Sequence, residues 1–322
     1  MSKSEPDDIL LSVCMITYNH EPFVSKAIES ILAQETKFRF RLIIGDDCST
    51  DGTRPICDAW AQKHPDKIFV LPTSKNMGLI QNFKHTIKAA QSRYIAFCEG
   101  DDYWTCNSKL QRQVDFLETH PQYGLSCTRY KKRDTNSGKT FGDELEGLFH
   151  ANCDGLSFGL ANFFETWITK TLTVVARRSL IDIDLISRYQ YYRDTHLFYH
   201  ILKAAPGYCH NFVSGVYNIH EGGVWSTKSQ LQKEQVTYLV FKELYYFNKE
   251  DQLLKNRHLE SIRTLISTKI KLVNYPLFHF SIYSLLLRYF CIIHSFAFLK
   301  DQFKEMWQQS FSTENFQSEK NS

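Results

Sequence analysis

Glu99-Gly100-Asp101-Asp102 places three carboxylates within four residues, directly after the apolar run Tyr94 to Cys98. Like charges crowded at the edge of a low-dielectric sheet repel one another. A hard divalent cation relieves that repulsion. Mg2+ or Mn2+ commonly takes one or two protein carboxylates and completes its shell with phosphate oxygens and water. In that chemistry the cation bridges a diphosphate and stabilises charge on a departing nucleotide. The plainer alternative is a solvated acidic turn with a helix cap. Asp46-Asp47 follows the strand-like run Arg41 to Gly45 in the same way. A carboxylate there can accept from a base imide or from ribose, or serve only as a turn residue. Thr17-Tyr18-Asn19-His20-Glu21 closes the run Leu11 to Ile16.

Elements that alternate in type must hold these clusters. Leu11 to Ile16, Arg41 to Gly45, Ile68 to Leu71 and Tyr94 to Cys98 read as short buried strands. Between them, Val24, Ala27, Ile28 and Ile31 form a helical apolar stripe, and Leu79, Phe83 and Ile87 mark another helix. Pro22 sits near a first helical turn, and Ser49 to Thr53 supplies turn and cap chemistry. Such alternation implies an α/β fold whose sheet is mostly parallel. Ligands in such sheets bind beyond the carboxyl ends of the strands, where residues 17–21, 46–51 and 99–102 all fall. Leu110, Val114 and Leu117 mark a further helix; 131–147 is hydrophilic, with a turn at Asn136-Ser137-Gly138. Mixed elements follow to about residue 225. Beyond it, Leu259, Ile262, Ile266, Ile270 and Val273 keep helical spacing.

The chain has no G-x-G-x-x-G and no P-loop, so a nucleotide must be held by acidic and polar groups. Three motifs then stand in order: Ser12 to Asn19, Gly45 to Thr53, and Phe97 to Trp104. Together they resemble family 2 glycosyltransferases of the GT-A fold, well over residues 10–130 and more weakly to about 225. The resemblance implies a Rossmann-like mixed sheet flanked by helices, with a helical C-terminal extension. It implies a donor-nucleotide half over 1–105, an acceptor half over 106–226 and a helical region over 227–322. Thr17, Tyr18, Asn19, Glu21, Asp47 and Asp101 would line the nucleotide site, with Asp47 facing the base. Asp101 and Asp102 match the family's D-x-D element, and Asp102 would bind Mn2+ or Mg2+. Glu99 stands where the family has Asp.

An inverting transfer needs a group that takes the acceptor proton. The family places an acid at a helix start in the acceptor half, a position that Asp194 in Tyr192-Arg193-Asp194-Thr195-His196 matches. Arg193 replaces the Glu expected before it and is placed to pair with Asp194. An N-cap is the other reading of Asp194. Tyr217 to Ser226 resembles a family element in which His220 would contact the metal or diphosphate, with Gly222-Gly223 as a closing loop. Arg177-Arg178 reads as a solvated pair, or as a contact to an anionic acceptor, after an expected strand from Thr171 to Ala176. The processive Q-x-x-R-W element is absent, which favours single-sugar transfer.

Composition excludes a dedicated nucleic-acid binder: the net charge is +3, from 38 basic and 35 acidic residues. Nine cysteines form no C-x-x-C pair, so reduced thiols in a cytoplasmic protein are expected. The polar start, Met1 to Ile9, carries no secretory signal. Lys228 to Lys300 holds 11 basic and 5 acidic residues, a local excess of +6 (11 − 5). Leu277 to Leu299 is 23 residues long with one formal charge, Arg288. An amphipathic helix on the inner face of the membrane and a helix pair packed on the domain are both open. The leading expectation is an inverting, metal-dependent hexosyltransferase. Its donor is a nucleotide sugar, UDP-linked, and its acceptor a glycan or lipid-linked sugar. A nucleotidyltransferase and a non-catalytic sugar-binding scaffold are the alternatives.

Overall fold

A strand that is apolar at nearly every position must be covered on both faces. In the computed structural model, which describes residues 9–149, 153–223, 225–272, 279–293 and 297–310, Leu11 to Thr17 is buried throughout. It belongs to β1 (Ile9–Thr17), which is paired in parallel with β2 (Arg39–Asp46). β3 (Ile68–Val70) continues the set beyond β2, and β4 (Tyr94–Phe97) lies on the other side of β1, also parallel. One face is covered by α1 (Glu21–Leu32) and α2 (Thr53–Lys63). Val24, Ala27, Ile28 and Ile31 of α1 pack with Leu11, Val13 and Met15 in one core. The other face carries α3 (Leu79–Ala89), where Asn82 Nδ2 donates to the Gly45 carbonyl at 2.7 Å. A Cβ at Gly45 would strike the Thr86 and Asn82 side chains, so glycine permits this close approach.

The sheet continues beyond this parallel part. The chain adds β5 (Tyr103–Trp104), α4 (Lys109–Thr119), β6 (Leu125–Asp134), β7 (Thr140–Phe141) and β8 (Gly155–Phe158). Then come α5 (Leu160–Glu165), β9 (Val175–Arg177), α6 (Ile183–Arg188), α7 (Asp194–Ala204) and β10 (Gly207–Ile219). The order is β3-β2-β1-β4-β9-β6-β10-β5, with β7 on β6 and β8 on β10. β9 runs antiparallel to both β4 and β6, and β10 runs parallel to β6. Two reversals restore direction, so β10 ends at the same sheet edge as β1, β2 and β4. The first four strands are parallel, as their alternation with helices implies, and β9 makes the whole sheet mixed, as expected.

Two local expectations change. Thr171–Thr173 is a 3-10 turn rather than strand, because Thr173 returns both its backbone N–H and its hydroxyl to the Lys170 carbonyl. Arg177 and Arg178 are half-buried and bound to backbone carbonyls rather than a solvated pair. Arg177 donates to the Tyr123 and Leu117 carbonyls at 2.8 and 2.5 Å, and Arg178 to those of Ala90 and Ile181 at 3.0 and 2.7 Å. They tie chain ends that lack ladder partners. All nine cysteine thiols are free.

The chain divides into two compact units, Met1–Ser226 and Thr227–Ser322. The second comprises α8 (Gln230–Phe247), α9 (Gln252–Leu272), α10 (Phe280–Ile293) and α11 (Ala297–Ser310). A Ser229–Gln232 capping box starts α8. Ile262, Ile266 and Ile270 of α9 meet Ile282, Leu286 and Tyr289 of α10 in its core. Among the described residues no helix is long and apolar enough to cross a membrane. Residues 1–8, Val224, Val273, 277–278 and 294–296, on which parts of the sequence reading fall, lie outside the described residues.

Lys109 is 0% exposed; its Nζ donates to Gln113 Oε1 at 2.8 Å and lies 4.4 Å from the Trp104 ring centroid. Burial pulls its pKa from 10.5 down to about 7. Between those values the unfolded chain holds a proton that the folded chain does not, so stability rises with pH across the window. Lys109→Met is expected to flatten that rise in urea-unfolding midpoints. An undiminished rise would contradict this role for Lys109.

Candidate functional site

The shared sheet edge collects the polar strand ends. After β1, Asn19 adopts a left-handed backbone (φ 55), a conformation Asn tolerates. Its Oδ1 accepts from the Thr50 backbone N–H at 2.8 Å, while Asn19 N–H donates to Ser49 Oγ at 3.0 Å. His20 N–H donates to Thr53 Oγ1 at 2.8 Å, and Glu21 N–H to Asp51 Oδ2 at 3.1 Å. Glu21 Oε2 in turn accepts from Gly52 N–H at 2.9 Å. Asn19, Glu21 and Asp51 thus lace the loop after β1 to the loop after β2, while Tyr18 stays exposed. Asp47 is buried and accepts from the backbone N–H groups of Met77 and Gly78 at 2.6 and 2.8 Å. A carboxylate has about four acceptor sites, and these two bonds take half of them.

The turn after β4 approaches the loop after β1 very closely. Gly100 N–H donates to the Ile16 carbonyl at 3.0 Å. A Cβ on Gly100 would lie 2.5 Å from Thr17 Oγ1 and 3.1 Å from His20 Nδ1. The end of β10 closes the other side. Asn218 N–H donates to Asp102 Oδ1 at 2.9 Å, and Asn218 Nδ2 to the Asp101 carbonyl at 2.5 Å. His220 Nε2 donates to Asp101 Oδ2 at 3.1 Å, and His20 Nε2 stands 3.7 Å from the same oxygen. Asp194 begins α7, accepts from Thr195 N–H at 3.0 Å, and lies within Thr171 Oγ1 reach at 3.4 Å. Arg193 sets its guanidinium 5.1 Å from the Trp225 ring centroid.

The charges in this pocket are tightly coupled. Burial pushes Glu99 up to about 8, with the charges of Asp101 and Asp194 adding and those of Lys170 and Arg193 opposing. Burial, then Asp101 and Glu99, hold Asp102 well above the usual carboxylate range. Burial also disfavours ionised Asp101, but the His220 hydrogen bond and the two imidazoles outweigh it, and its carboxyl lies low. Burial, then the neighbouring His220, hold His20 below its ordinary value although Asp101 draws it up. Both His20 and Asp101 therefore stand in ligand-competent forms at neutral pH.

One Nδ1 or Nε2 of His20, one of His220 and one Asp101 oxygen lie within 4.8 Å of one another. Asp102 Oδ2, 1% exposed as a residue, and Thr17 Oγ1 are buried beside them without a hydrogen-bond partner. Two imidazoles, a carboxylate and an unsatisfied second carboxylate fit a divalent cation. The sequence reading put the metal on Asp102 and His220; the structure sets Asp101 between two imidazoles and turns one Asp102 oxygen to Asn218. His20, Asn218 and Lys170 carried no assigned role in the sequence. His20 had one signal, its place in a strand-end cluster. Lys170, whose Nζ lies 3.6 Å from the Tyr217 ring centroid, had none.

Residues 12–170 match the family described as Glycosyl transferase family 2. An uncharacterized Mycobacterium tuberculosis protein is 40% identical over 112 residues, 35% of this chain and 32% of that protein. WfaP of Escherichia coli, a UDP-Glc:alpha-D-GlcNAc-diphosphoundecaprenol beta-1,3-glucosyltransferase, is 30% identical over 125 residues, 39% of this chain and 48% of that one. The chain thus spans less than half the length of these curated relatives. S. aureus TarS 1-349 in complex with UDP-GlcNAc superposes with TM-score 0.58 at 19% identity, over 80% of this chain and 73% of that one. The Pyrobaculum calidifontis mannosyltransferase PcManGT, in complex with GDP-Man and Mn2+, gives 0.53 at 14% identity, over 97% and 90%. At these identities the likeness is one of fold, the GT-A arrangement expected above.

Gly100→Ala is expected to displace the carboxylate turn and weaken Mn2+ binding on the order of 10- to 100-fold in calorimetry. Unchanged affinity would separate the turn from the cation site.

Proposed function

We propose, from the match of residues 12–170 to Glycosyl transferase family 2, that the chain is an inverting, metal-dependent hexosyltransferase. Its donor is a nucleotide sugar, UDP-linked, and its acceptor a glycan or lipid-linked sugar in cell-surface polysaccharide biosynthesis. The observation that carries the reading is the convergence of Asp101, Asp102, His20 and His220 with Asp194 at one sheet edge. The charge of Asp194 raises the pKa of Glu99, which supports reading Asp194 as an acid close to the carboxylate cluster. The names of WfaP and of the TarS complex support a UDP donor, while that of PcManGT keeps GDP in the test.

The residues divide the work. Asp47 and the loop from Thr17 to Glu21 hold the nucleoside, with Asp47 accepting from the base. Asp101, His220 and His20 would hold a divalent cation, with Asp102 beside them. Bound there, it would supply positive charge to the leaving diphosphate. Asp194 accepts the acceptor's hydroxyl proton as that oxygen attacks the anomeric carbon. The new carbon–oxygen bond forms as the bond to the diphosphate oxygen breaks, and nucleoside diphosphate departs. One displacement from the opposite face inverts the centre. Arg193, held over Trp225, leaves Asp194 free to take that proton.

Asp194→Asn is expected to lower turnover by roughly 10²- to 10⁴-fold with donor affinity unchanged. Near-normal transfer would remove Asp194 from the base role. The reading as a whole is tested by nucleotide release from a panel of UDP- and GDP-sugars with Mn2+, Mg2+ or EDTA and glycolipid acceptors. One donor should react, only with metal, and Asp101→Asn should abolish it. Metal-independent release, or wild-type rates in Asp101→Asn, would contradict it.

A further inference from the structure

The second compact unit contains a cavity of about 450 Å³ that the transfer reaction does not use. α8 and its C-terminal end line it with Lys242, Tyr245, Tyr246 and Lys249. α10 lines it with Ser284, Leu287, Arg288 and Cys291. Lys242, Tyr245 and Tyr246 of α8, like Ser284, Leu287, Arg288 and Cys291 of α10, keep the spacing that puts side chains on one helical face, and Lys249 follows the end of α8. Two parallel stripes therefore face one groove, and His258 of α9 lines it as well.

The electrostatics of the groove are one-sided. Lys242, Lys249 and Arg288 bring three cations to its lining, and no carboxylate lines it. Among the described residues none of the three makes an ion pair. His258 is 4% exposed, and its Nδ1 is buried without a hydrogen-bond partner. Its ring lies between those of Tyr238 and Tyr245, at 5.7 and 5.6 Å. Burial, reinforced by Lys242 and Arg288, pulls its pKa down to about 4, so the imidazole is neutral. A buried polar atom left unpaired is costly unless a ligand satisfies it. A guanidinium grips phosphate oxygens in pairs, and lysines add point charge. Leu287, 64% exposed, and Tyr246, 65% exposed, leave apolar surface at the rim.

We infer that this groove binds a phosphate or diphosphate ester group carried on an apolar stem. Lys242, Lys249 and Arg288 hold the anion, Nδ1 of the neutral His258 donates to one of its oxygens, and the stem lies along Leu287 and Tyr246. The ligand is either a prenyl diphosphate or an anionic headgroup in a bilayer. This site belongs to the second compact unit and does not rest on the transfer reading.

The test uses the full chain in EDTA. Inorganic pyrophosphate and farnesyl diphosphate are titrated by calorimetry, and phosphatidylcholine vesicles with or without phosphatidic acid are co-sedimented. The chain should bind farnesyl diphosphate or the acidic vesicles. Combining Lys242→Gln with Arg288→Gln should weaken that binding on the order of tenfold or more, while the far-ultraviolet circular dichroism stays unchanged. Asp101→Asn should leave it intact. Preference for farnesyl diphosphate identifies the prenyl source; preference for acidic vesicles identifies the membrane. Wild-type affinity in the double variant, loss of binding in Asp101→Asn, or no binding of any probe would overturn the inference.

Discussion

Carboxylates forced together at the buried edge of a sheet are the constraint on which this structure turns. Glu99, Asp101 and Asp102 cannot all ionise without positive charge nearby, because burial and mutual repulsion oppose it. The protein supplies part of that charge through Lys170, and the hydrogen bond from His220 favours the ionised form of Asp101. One oxygen of Asp102, Oδ2, is buried without a hydrogen-bond partner. Gly100 is the steric condition for the arrangement, since any side chain there would push the carboxylate turn off Thr17. The Asn218 hydrogen bonds are the other condition, because they aim Asp102 and fix the Asp101 backbone.

Topology explains how residues so far apart in sequence meet. β9 inserts antiparallel between β4 and β6, and β10 then follows β6 in parallel. The double reversal returns the carboxyl end of β10 to the edge where β1, β2 and β4 end. The carboxylate turn after β4 is thereby met by a histidine two hundred residues after His20. Asp194, at the start of α7, acts on Glu99 of the same cluster through its charge.

Much of this was legible in the sequence, and the rest has physical reasons for having been hidden. Strands β1 to β4 are short apolar runs ended by polar clusters, so both the elements and the site edge could be read. That Asp101 stands beside the imidazoles could not, because adjacent residues in a tight turn differ in direction only through hydrogen bonds made elsewhere, here by Asn218. The pairing of His20 with His220 depends on sheet order, which a one-dimensional pattern does not encode. Arg177 and Arg178 looked like surface charge because their acceptors are backbone carbonyls, invisible as side-chain partners. Thr171–Thr173 looked like strand because two of its three residues are β-branched threonines; hydrogen bonds to Lys170 decide otherwise.

The central claim is that one cation joins His20, Asp101 and His220 to a nucleoside diphosphate. Thermodynamic linkage makes it measurable, since each ligand must tighten the other by the same factor. Calorimetric titration of UDP and GDP with and without Mn2+, on the native chain and on Asp101→Asn, reads that factor directly. The account predicts that Mn2+ tightens one nucleotide at least about tenfold, that the nucleotide tightens Mn2+ equally, and that Asp101→Asn removes the coupling. Nucleotide binding that ignores Mn2+, or coupling that survives Asp101→Asn, would contradict it.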